Sequence, residues 1–177
     1  ADAIVAAGIA RVVSALADPN PAVAGAGHWR MAEAGLTVDV GTGADEALRA
    51  HAGHIRRMTD GRPHVILKLA VSADGKIGLP GRRPIQITGP EVQARVHLMR
   101  AASDAVMIGV GTALADDPLL TCRLPGMASR SPVRVVLDTR LRLPFDSKLV
   151  RSIETAPLWV ITGPDAAAEK ENALRQK

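Results

Sequence analysis

The sequence is poor in cysteine and in aromatic residues. Of its 177 residues one is cysteine, one is phenylalanine, two are tryptophan and none is tyrosine. The single cysteine, Cys122, excludes an internal disulfide and favours a reducing compartment, so we expect a cytoplasmic protein. Because aromatics make up only 2% of the chain, it lacks the stacking surfaces that proteins use to bind single-stranded nucleic acid, which argues against that class of partner.

Long uncharged apolar runs are absent as well. This excludes a membrane-spanning helix, and the first residues lack the basic segment of a signal peptide. The net charge of +4 favours anionic ligands, but it does not choose between small phosphates and nucleic acid. On charge alone a basic nucleic-acid-binding module stays open, and such a module would bind with a steep dependence on salt.

Strand-like and helix-like segments alternate along the chain, which predicts an α/β fold. A boundary is expected at residues 60–63, with residues 1–60 and 61–177 forming separate domains and at least four strands in the second. The predicted strands cover 9–15, 36–40, 65–71, 104–109, 133–138 and 158–162. The predicted helices cover 23–34, 44–58, a segment capped by Thr88 and Glu91 that ends near 102, and a last one capped by Asp165.

Polar residues follow several predicted strands of the second domain. In α/β sheets, ligands bind beyond the carboxyl ends of the strands, so these segments are expected to converge on one site. They are Asp74, residues 109–117, Asp138 with Thr139, and Thr162 with Gly163.

Three charged groups in this region have two interpretations each. Lys68, inside an apolar strand, lies either on the polar face of an edge strand or at a cleft, where it would donate to substrate. Asp116 and Asp117 are either turn-forming acids, with Asp117 held extended by Pro118, or acceptors for a sugar hydroxyl. Arg100 and Arg123 are either solvated surface residues or a clamp for phosphate.

Two further patterns do not reach a recognisable motif. Gly109-Val-Gly111 begins like a dinucleotide-binding loop, but Leu114 occupies the position of the third glycine. His51 and His54 share a helical face, yet a zinc site would need further ligands. No metal is therefore expected in these residues.

Four runs of sequence resemble the reductase domain of the bifunctional riboflavin-biosynthesis deaminase–reductase family. They are Leu67-Lys-Leu-Ala-Val-Ser-Ala-Asp-Gly-Lys76, Ile87-Thr-Gly-Pro90, Leu114-Ala-Asp-Asp-Pro-Leu-Leu-Thr-Cys-Arg123 and Val133-Arg-Val-Val-Leu-Asp-Thr-Arg-Leu-Arg-Leu-Pro144. Residues 1–60 are similar to the last part of that family's deaminase domain. The resemblance implies a dihydrofolate-reductase-like fold preceded by a truncated cytidine-deaminase-like αβ segment.

The resemblance also implies an activity and a set of contacts. The activity is NADPH-dependent reduction of 5-amino-6-(5-phosphoribosylamino)uracil, a phosphorylated pyrimidine, to the ribityl product. From the chemistry of that reaction we predict Asp116 and Lys68 as the catalytic pair, which would assist opening of the sugar ring by hydrogen bonding and proton transfer. Contacts to NADPH would come from Ala70, Thr112, Asp116 and Thr139. Contacts to the substrate would come from Thr88, Arg100, Leu120 and Arg123.

The sequence departs from the family's pattern in several places. Pro84 and Gln86 stand where the family usually has Ser and Trp. The zinc-binding cysteines of the deaminase and the glycine-rich loop of the reductase are expected outside these residues, so zinc belongs to the missing part. A non-catalytic remnant with a structural or assembly role is therefore the alternative to an active reductase. Uncovered sheet edges also predict a homo-oligomer.

Overall fold

The computed structural model describes residues 1–79 and 85–176, which form a mixed α/β structure with parallel sheets. The chain divides into two compact units, the first covering Ala1–Lys68 and the second beginning at Leu69. Within the described ranges, no helix is both long enough and apolar enough to cross a membrane.

The first unit contains a two-stranded parallel sheet. Its elements are α1 (Asp2–Ala6), β1 (Arg11–Ser14), α2 (Ala26–Glu33), β2 (Thr37–Val40), α3 (Ala44–Ala50) and α4 (Ala52–Asp60). β1 and β2 pair from Arg11 opposite Thr37 to Ser14 opposite Val40. The first strand, predicted over 9–15, forms over Arg11–Ser14, and it is not fully buried, because Val13 is 52% exposed.

The helices of the first unit are shorter than the sequence predicts. α2 begins at Ala26 because Ala24 and Gly25 before it have positive φ angles of 37° and 78°, which a right-handed helix does not contain. The predicted helix over 44–58 is two helices, since His51 has φ −104° and ψ 15°. α4 then ends at Gly61, whose φ of 62° is a common helix stop.

The segment after α4 is the largest departure from the sequence prediction. Residues 65–71 form no strand, and Val65 and Leu67 are 80% and 81% exposed. A strand is defined by hydrogen bonds to a neighbour, and within the described residues this segment has no such neighbour. The predicted turn at Asp74 and Gly75 is confirmed, because the Ser72 amide donates to the Lys76 carbonyl at 2.8 Å. Residues 80–84 of the predicted basic loop, including Arg82, Arg83 and Pro84, lie outside the described residues.

The second unit is built around three parallel strands. Its elements are α5 (Pro90–Ala101), β3 (Ala105–Gly109), α6 (Val110–Asp116), β4 (Val133–Leu137), α7 (Lys148–Arg151), β5 (Leu158–Ile161) and α8 (Ala168–Arg175). The strand order is β3-β4-β5. The structure thus shows three strands here where at least four were predicted, and the difference is the segment 65–71.

The helix starts of the second unit are also not those predicted. α5 begins at Pro90 after Gly89, and Thr88 makes no capping bond. Proline suits this first position because it lacks an N–H that would need an acceptor. The last helix likewise begins after Ala167 and not at Asp165.

The core of the second unit lies against the central strand. Val136 of β4 is fully buried and packs with side chains of α6, α7 and the loops between them. These are Val110, Ala113, Leu120, Leu143, Leu149 and Val150. Leu120 places the loop 117–123 within this core, which determines where the polar residues of that loop lie.

Candidate functional site

The carboxyl ends of the three parallel strands lie side by side. Gly109, Leu137 and Ile161 are in register across the sheet. The Asp138 amide donates to the Ile161 carbonyl at 2.9 Å, and the Gly163 amide donates to the Thr139 carbonyl at 3.0 Å. Three of the four predicted segments therefore meet at one edge. The fourth, at Asp74, is an exposed turn whose carboxylate accepts a hydrogen bond from Ser72.

Backbone packs closely at this edge. A Cβ placed on Gly163 would lie 2.7 Å from Cγ2 of Thr139 and 3.1 Å from the Thr139 carbonyl oxygen. Real Cβ atoms do not approach other atoms so closely, so glycine is required for β4 and β5 to end in this arrangement. The exposed Thr139 is thereby held in place by the turn after β5.

Two of the predicted cofactor contacts lie on α6, which follows β3 without a linker. Thr112 and Asp116 are four residues apart, so they share one face of the helix, and both are exposed. Within the described residues, no hydrogen bond or ion pair engages the Asp116 carboxylate. Asp116 is thus free to accept from a ligand.

Asp117 has a different environment from its neighbour. Its Oδ1 accepts from the Lys148 amide at 2.8 Å, and its Oδ2 lies 3.8 Å from Lys148 Nζ. Its φ of 39° and ψ of 58° are left-handed, so the prediction of an extended Asp117 was wrong. The requirement to end α6 and to reach the start of α7 outweighs the extended preference of a residue before proline. Asp117 is therefore a structural acid.

The remaining predicted residues lie in less regular backbone. Lys68 is exposed and belongs to the first unit, and Ala70 is half-buried at the start of the second. Thr88 is half-buried, and its carbonyl accepts from Gln86 Nε2 at 3.2 Å. The structure brings neither Lys68 nor Ala70 into a regular element, so their roles stay predictions.

Arg100 and Arg123, the predicted phosphate clamp, meet at the loop 117–123. Arg100 Nη1 donates to the Thr121 carbonyl at 3.2 Å and lies 3.5 Å from His97 Nδ1. The Arg123 amide donates to the same His97 nitrogen at 3.2 Å. Burial, and secondly the charge of Arg123, lower the pKa of the Arg100 guanidinium.

No acid neutralises this cluster. In the part of the chain that the structure describes, neither Arg100 nor Arg123 forms an ion pair with a carboxylate. Two guanidinium groups without a counter-charge create a positive potential that attracts an anion, and their forked donors match phosphate oxygens.

Leu120, also predicted to contact the substrate, is 7% exposed and packs in the core. Its φ of 57° is left-handed, which turns the chain sharply between Pro118 and Thr121. A contact from Leu120 to a ligand would therefore come from its backbone and not from its side chain.

Arg134 holds the loop 117–123 through a hydrogen bond to the Leu119 carbonyl, and the sequence analysis did not identify this residue. It is fully buried in β4, and its guanidinium donates to neutral oxygens only. These are the carbonyls of Leu119 (3.4 Å), Ser152 (3.0 Å), Pro157 (3.4 Å) and Ala156, and the Ser152 hydroxyl (2.6 Å). Burial lowers its pKa. A lone arginine within the hydrophobic pattern of 133–137 was the available signal.

His97 is the second residue that sequence reasoning missed. Burial, and then the charges of Arg100 and Arg123, lower the pKa of its imidazole, while the Thr121 carbonyl acts in the opposite direction. Its spacing of three residues from Arg100 on one helix was the signal that could have found it.

Asp138 is a buried acid beside Thr139. It is 1% exposed, and its Oδ2 accepts from the Leu143 amide at 2.7 Å. Its Oδ1 has no partner within the described residues. The bond to Leu143 closes the turn after β4, so Asp138 shapes the backbone next to the site.

Comparison with known proteins identifies similar chains along most of this sequence. Residues 63–175 match the family described as the RibD C-terminal domain. The riboflavin biosynthesis protein RibD of Escherichia coli is 39% identical over 153 residues, which cover 80% of this chain and 42% of that protein. RibD of Aquifex aeolicus is 38% identical over 176 residues, which cover 99% of this chain and 48% of that protein. The chain thus spans about half the length of these relatives.

Solved structures give the same result. A RibD structure from Acinetobacter baumannii superposes with a TM-score of 0.81 at 35% identity, covering 97% of this chain and 48% of that one. A Thermotoga maritima diaminohydroxyphosphoribosylaminopyrimidine deaminase/5-amino-6-(5-phosphoribosylamino)uracil reductase superposes with a TM-score of 0.82 at 34% identity, covering 99% of this chain and 52% of that one.

Proposed function

The chain belongs to the RibD C-terminal domain family, and on that premise we propose that it is an enzyme of riboflavin biosynthesis. The proposed reaction is NADPH-dependent reduction of 5-amino-6-(5-phosphoribosylamino)uracil to the ribityl product. The observation that carries the proposal is the pair Arg100 and Arg123, which forms no ion pair with an acid within residues 1–79 and 85–176. The pair lies on the same unit as Asp116, whose carboxylate is likewise unengaged in that range. A phosphorylated sugar offers a phosphate anion to the two arginines and hydroxyl groups to the Asp116 carboxylate.

The proposal extends to the fold of each unit. We propose that the second unit is the beginning of a dihydrofolate-reductase-like domain, and that residues 1–60 derive from a cytidine-deaminase-like domain. The parallel three-stranded sheet and the match over residues 63–175 support the first assignment. The match to RibD of Aquifex aeolicus covers 99% of this chain and so extends over residues 1–60 as well, which supports the second assignment.

The residues at the sheet edge fit a nucleotide cofactor. Thr112, Asp116 and Thr139 present exposed hydroxyl and carboxylate groups, and Gly163 allows the turn after β5 to pack closely against Thr139. These three side chains would hold the sugar and phosphate groups of NADPH, and Ala70 would pack against it. The chemistry that NADPH supplies when bound is hydride donation.

The protein's own contribution is orientation and proton transfer. We propose that Arg100 and Arg123 bind the substrate phosphate, with Thr88 and the Leu120 backbone beside it. The ribosyl ring must open to an imine before C1 is reduced. As the C1–O bond breaks and the C1=N bond forms, Asp116 would accept the proton that the C1 nitrogen loses, and Lys68 would donate a proton to the ring oxygen.

The test is a reduction assay on the purified chain, which follows consumption of NADPH with the deaminated ribotide as substrate. Asp116→Ala should lower turnover about 100-fold or more, the usual loss for an acid–base residue. Arg123→Ala should raise KM about tenfold or more with less effect on turnover, because it removes a charged hydrogen bond to the phosphate. Asp117→Asn, which alters a structural acid, is the matched control. Unchanged turnover in Asp116→Ala would remove the proposed catalytic role.

Two further assignments accompany this function. We propose that the protein acts in the cytoplasm, which the single cysteine supports. We also propose that it forms a homo-oligomer, because β3 and β5 each pair with β4 alone within the described residues.

A further inference from the structure

His97 lies between the two arginines of the cluster. It belongs to α5 and is half-buried. Two groups contact the same imidazole nitrogen. The nitrogen of the Arg123 backbone amide lies 3.2 Å from His97 Nδ1, and Arg100 Nη1 lies 3.5 Å from it. No other side chain links the helix that carries Arg100 to the backbone of Arg123 by hydrogen bonds within the described residues.

These contacts determine the protonation state of the ring. A backbone amide and a guanidinium are donors only, so Nδ1 must be an acceptor. An imidazole with a free lone pair on Nδ1 is neutral and carries its proton on Nε2. Burial and the two guanidinium groups lower the pKa of His97 and so favour the neutral ring, while the Thr121 carbonyl acts in the opposite direction and is outweighed.

Holding both groups has a consequence for anion binding. Two guanidinium groups repel each other, and a flexible pair would separate when no anion is present. The His97 ring fixes the backbone at Arg123 directly. It also supports the Arg100 guanidinium, whose other bond goes to the Thr121 carbonyl. The Arg100 guanidinium and the backbone that carries Arg123 are thereby placed before a ligand arrives, which lowers the ordering cost of binding.

We propose that His97 is a positioning residue of the phosphate subsite, which as the neutral Nε2–H tautomer holds the Arg123 backbone and the Arg100 guanidinium in place for the substrate phosphate. The proposal rests on the proposed function for the identity of the phosphate. Its mechanism, an acceptor at Nδ1, is independent of the reduction step.

Substitutions at His97 can distinguish the effect of a hydrogen-bond acceptor at the Nδ1 position from the effect of side-chain volume. Asparagine places its amide oxygen near the position of Nδ1, so His97→Asn retains an acceptor. His97→Phe keeps the ring and removes the acceptor, and His97→Gln moves the amide oxygen away from the δ position. His97→Gln replaces the Phe variant if that variant does not fold, as judged by circular dichroism.

Binding of ribose 5-phosphate and of inorganic phosphate to the full chain is measured by calorimetry. We expect His97→Asn to bind within about threefold of the wild type, and His97→Phe and His97→Gln to bind about tenfold more weakly, the factor for one lost hydrogen bond. Equal losses in Asn and Phe variants, or no loss in any, would overturn the proposal.

The tautomer itself is measured by ¹⁵N NMR of the imidazole at neutral pH. The expected signature is a protonated Nε2 and an unprotonated Nδ1 in the wild type, and a proton on Nδ1 would overturn the proposal. Because these readouts do not involve reduction, loss of phosphate binding in His97→Phe supports the positioning role even if the reductase assay fails. A wild-type chain that binds neither phosphate contradicts the role while leaving the reduction to be judged by its own assay.

Discussion

Asp116 and Asp117 are neighbours in the chain, yet their carboxylates have opposite surroundings. The Asp116 side chain is exposed and unengaged within the described residues, whereas the Asp117 side chain ties the end of α6 to the start of α7 through Lys148. An acid that has no structural partner is available to a ligand, and an acid that caps a helix is not. Asp117 therefore has a structural role, whereas the Asp116 carboxylate is available for the catalytic role that we propose for it.

This division predicts different stability effects. Asp117→Ala should lower the free energy of unfolding by about 1–2 kcal/mol, since it removes an acceptor at a helix start. Asp117→Asn should cost less, because asparagine retains an oxygen and tolerates positive φ. Asp116→Ala should change stability by no more than about 0.5 kcal/mol, as for other surface positions. Urea titration of the three variants measures this, and equal effects of the two alanine substitutions would contradict it.

Arg134 stabilises the site without touching a ligand. Its guanidinium satisfies carbonyl groups from the loop that carries Leu119 and from the turn before β5. The Ala156 carbonyl that it also binds is buried and the others are partly buried, so the loss of their donor is costly. The residue therefore joins the loop of the candidate site to the segment between α7 and β5.

Replacing Arg134 should therefore lower the stability of the loop 117–123 and of the fold, and it removes no group that contacts a ligand. Arg134→Met keeps much of the volume and should destabilise the chain by about 2–4 kcal/mol, because one buried and three partly buried carbonyls lose their donor. Arg134→Lys should recover part of this loss, since an ammonium can donate to some of them. Thermal denaturation provides the comparison. A Met variant as stable as the wild type would show that water or rearrangement satisfies these carbonyls.

At the level of elements, the ends of β4 and β5 form the tightest contact near the site. Gly163 stands where any side chain would collide with Thr139. Its role is packing between two strand ends and not conformational freedom. The position of the Thr139 hydroxyl consequently depends on the turn after β5.

Gly163→Ala should destabilise the chain by about 1–3 kcal/mol, the usual cost of overpacking, and should weaken NADPH binding through displacement of Thr139. Gly111→Ala is the matched control: its Cβ would meet no atom within 4 Å, and in helix α6 alanine should stabilise by about 0.5–1 kcal/mol. Adding Thr139→Ser to Gly163→Ala removes the nearest atom and should restore part of the stability. Denaturation curves and NADPH fluorescence titration measure these effects, and a neutral Gly163→Ala would contradict the contact.

At the level of the whole molecule, the sheet of the second unit is open. β3 and β5 each have β4 as their one neighbour in the described ranges, and Trp159 on β5 is 58% exposed. Open edges and exposed apolar side chains favour association with another chain. The first unit has a two-stranded sheet with exposed Val13 and Val40 and shares this property.

We therefore expect self-association, measured by light scattering over a range of protein concentrations. Trp159→Lys should reduce it, because a charge on an edge strand opposes pairing. Trp29→Lys is the control, since Trp29 is 65% exposed and lies on the helix α2 and not on a strand. A wild-type chain that is monomeric at all concentrations, or equal effects of the two substitutions, would contradict the expectation.

The sequence by itself determined the α/β class, most strands and the family. Apolar and polar residues alternate in β2, whereas β3, β4 and β5 are short, mostly apolar runs, and both patterns are typical of strands that are buried on one or both faces. The polar residues at three strand ends could be placed together, since parallel strands end at one edge. The roles proposed for Lys68, Ala70 and Thr88 remain predictions.

Only the tertiary structure decided what depends on a neighbour distant in the chain. Residues 65–71 have the composition of a strand, but a strand needs a partner, and composition does not supply one. Asp116 and Asp117 have the same chemistry, and only the position of Lys148 separates their roles. Arg134 and His97 likewise obtain their roles from carbonyls and amides contributed by other segments. Local sequence patterns indicate secondary-structure propensity and which residues are buried. The hydrogen-bond partners that come from distant segments are decided by three-dimensional packing.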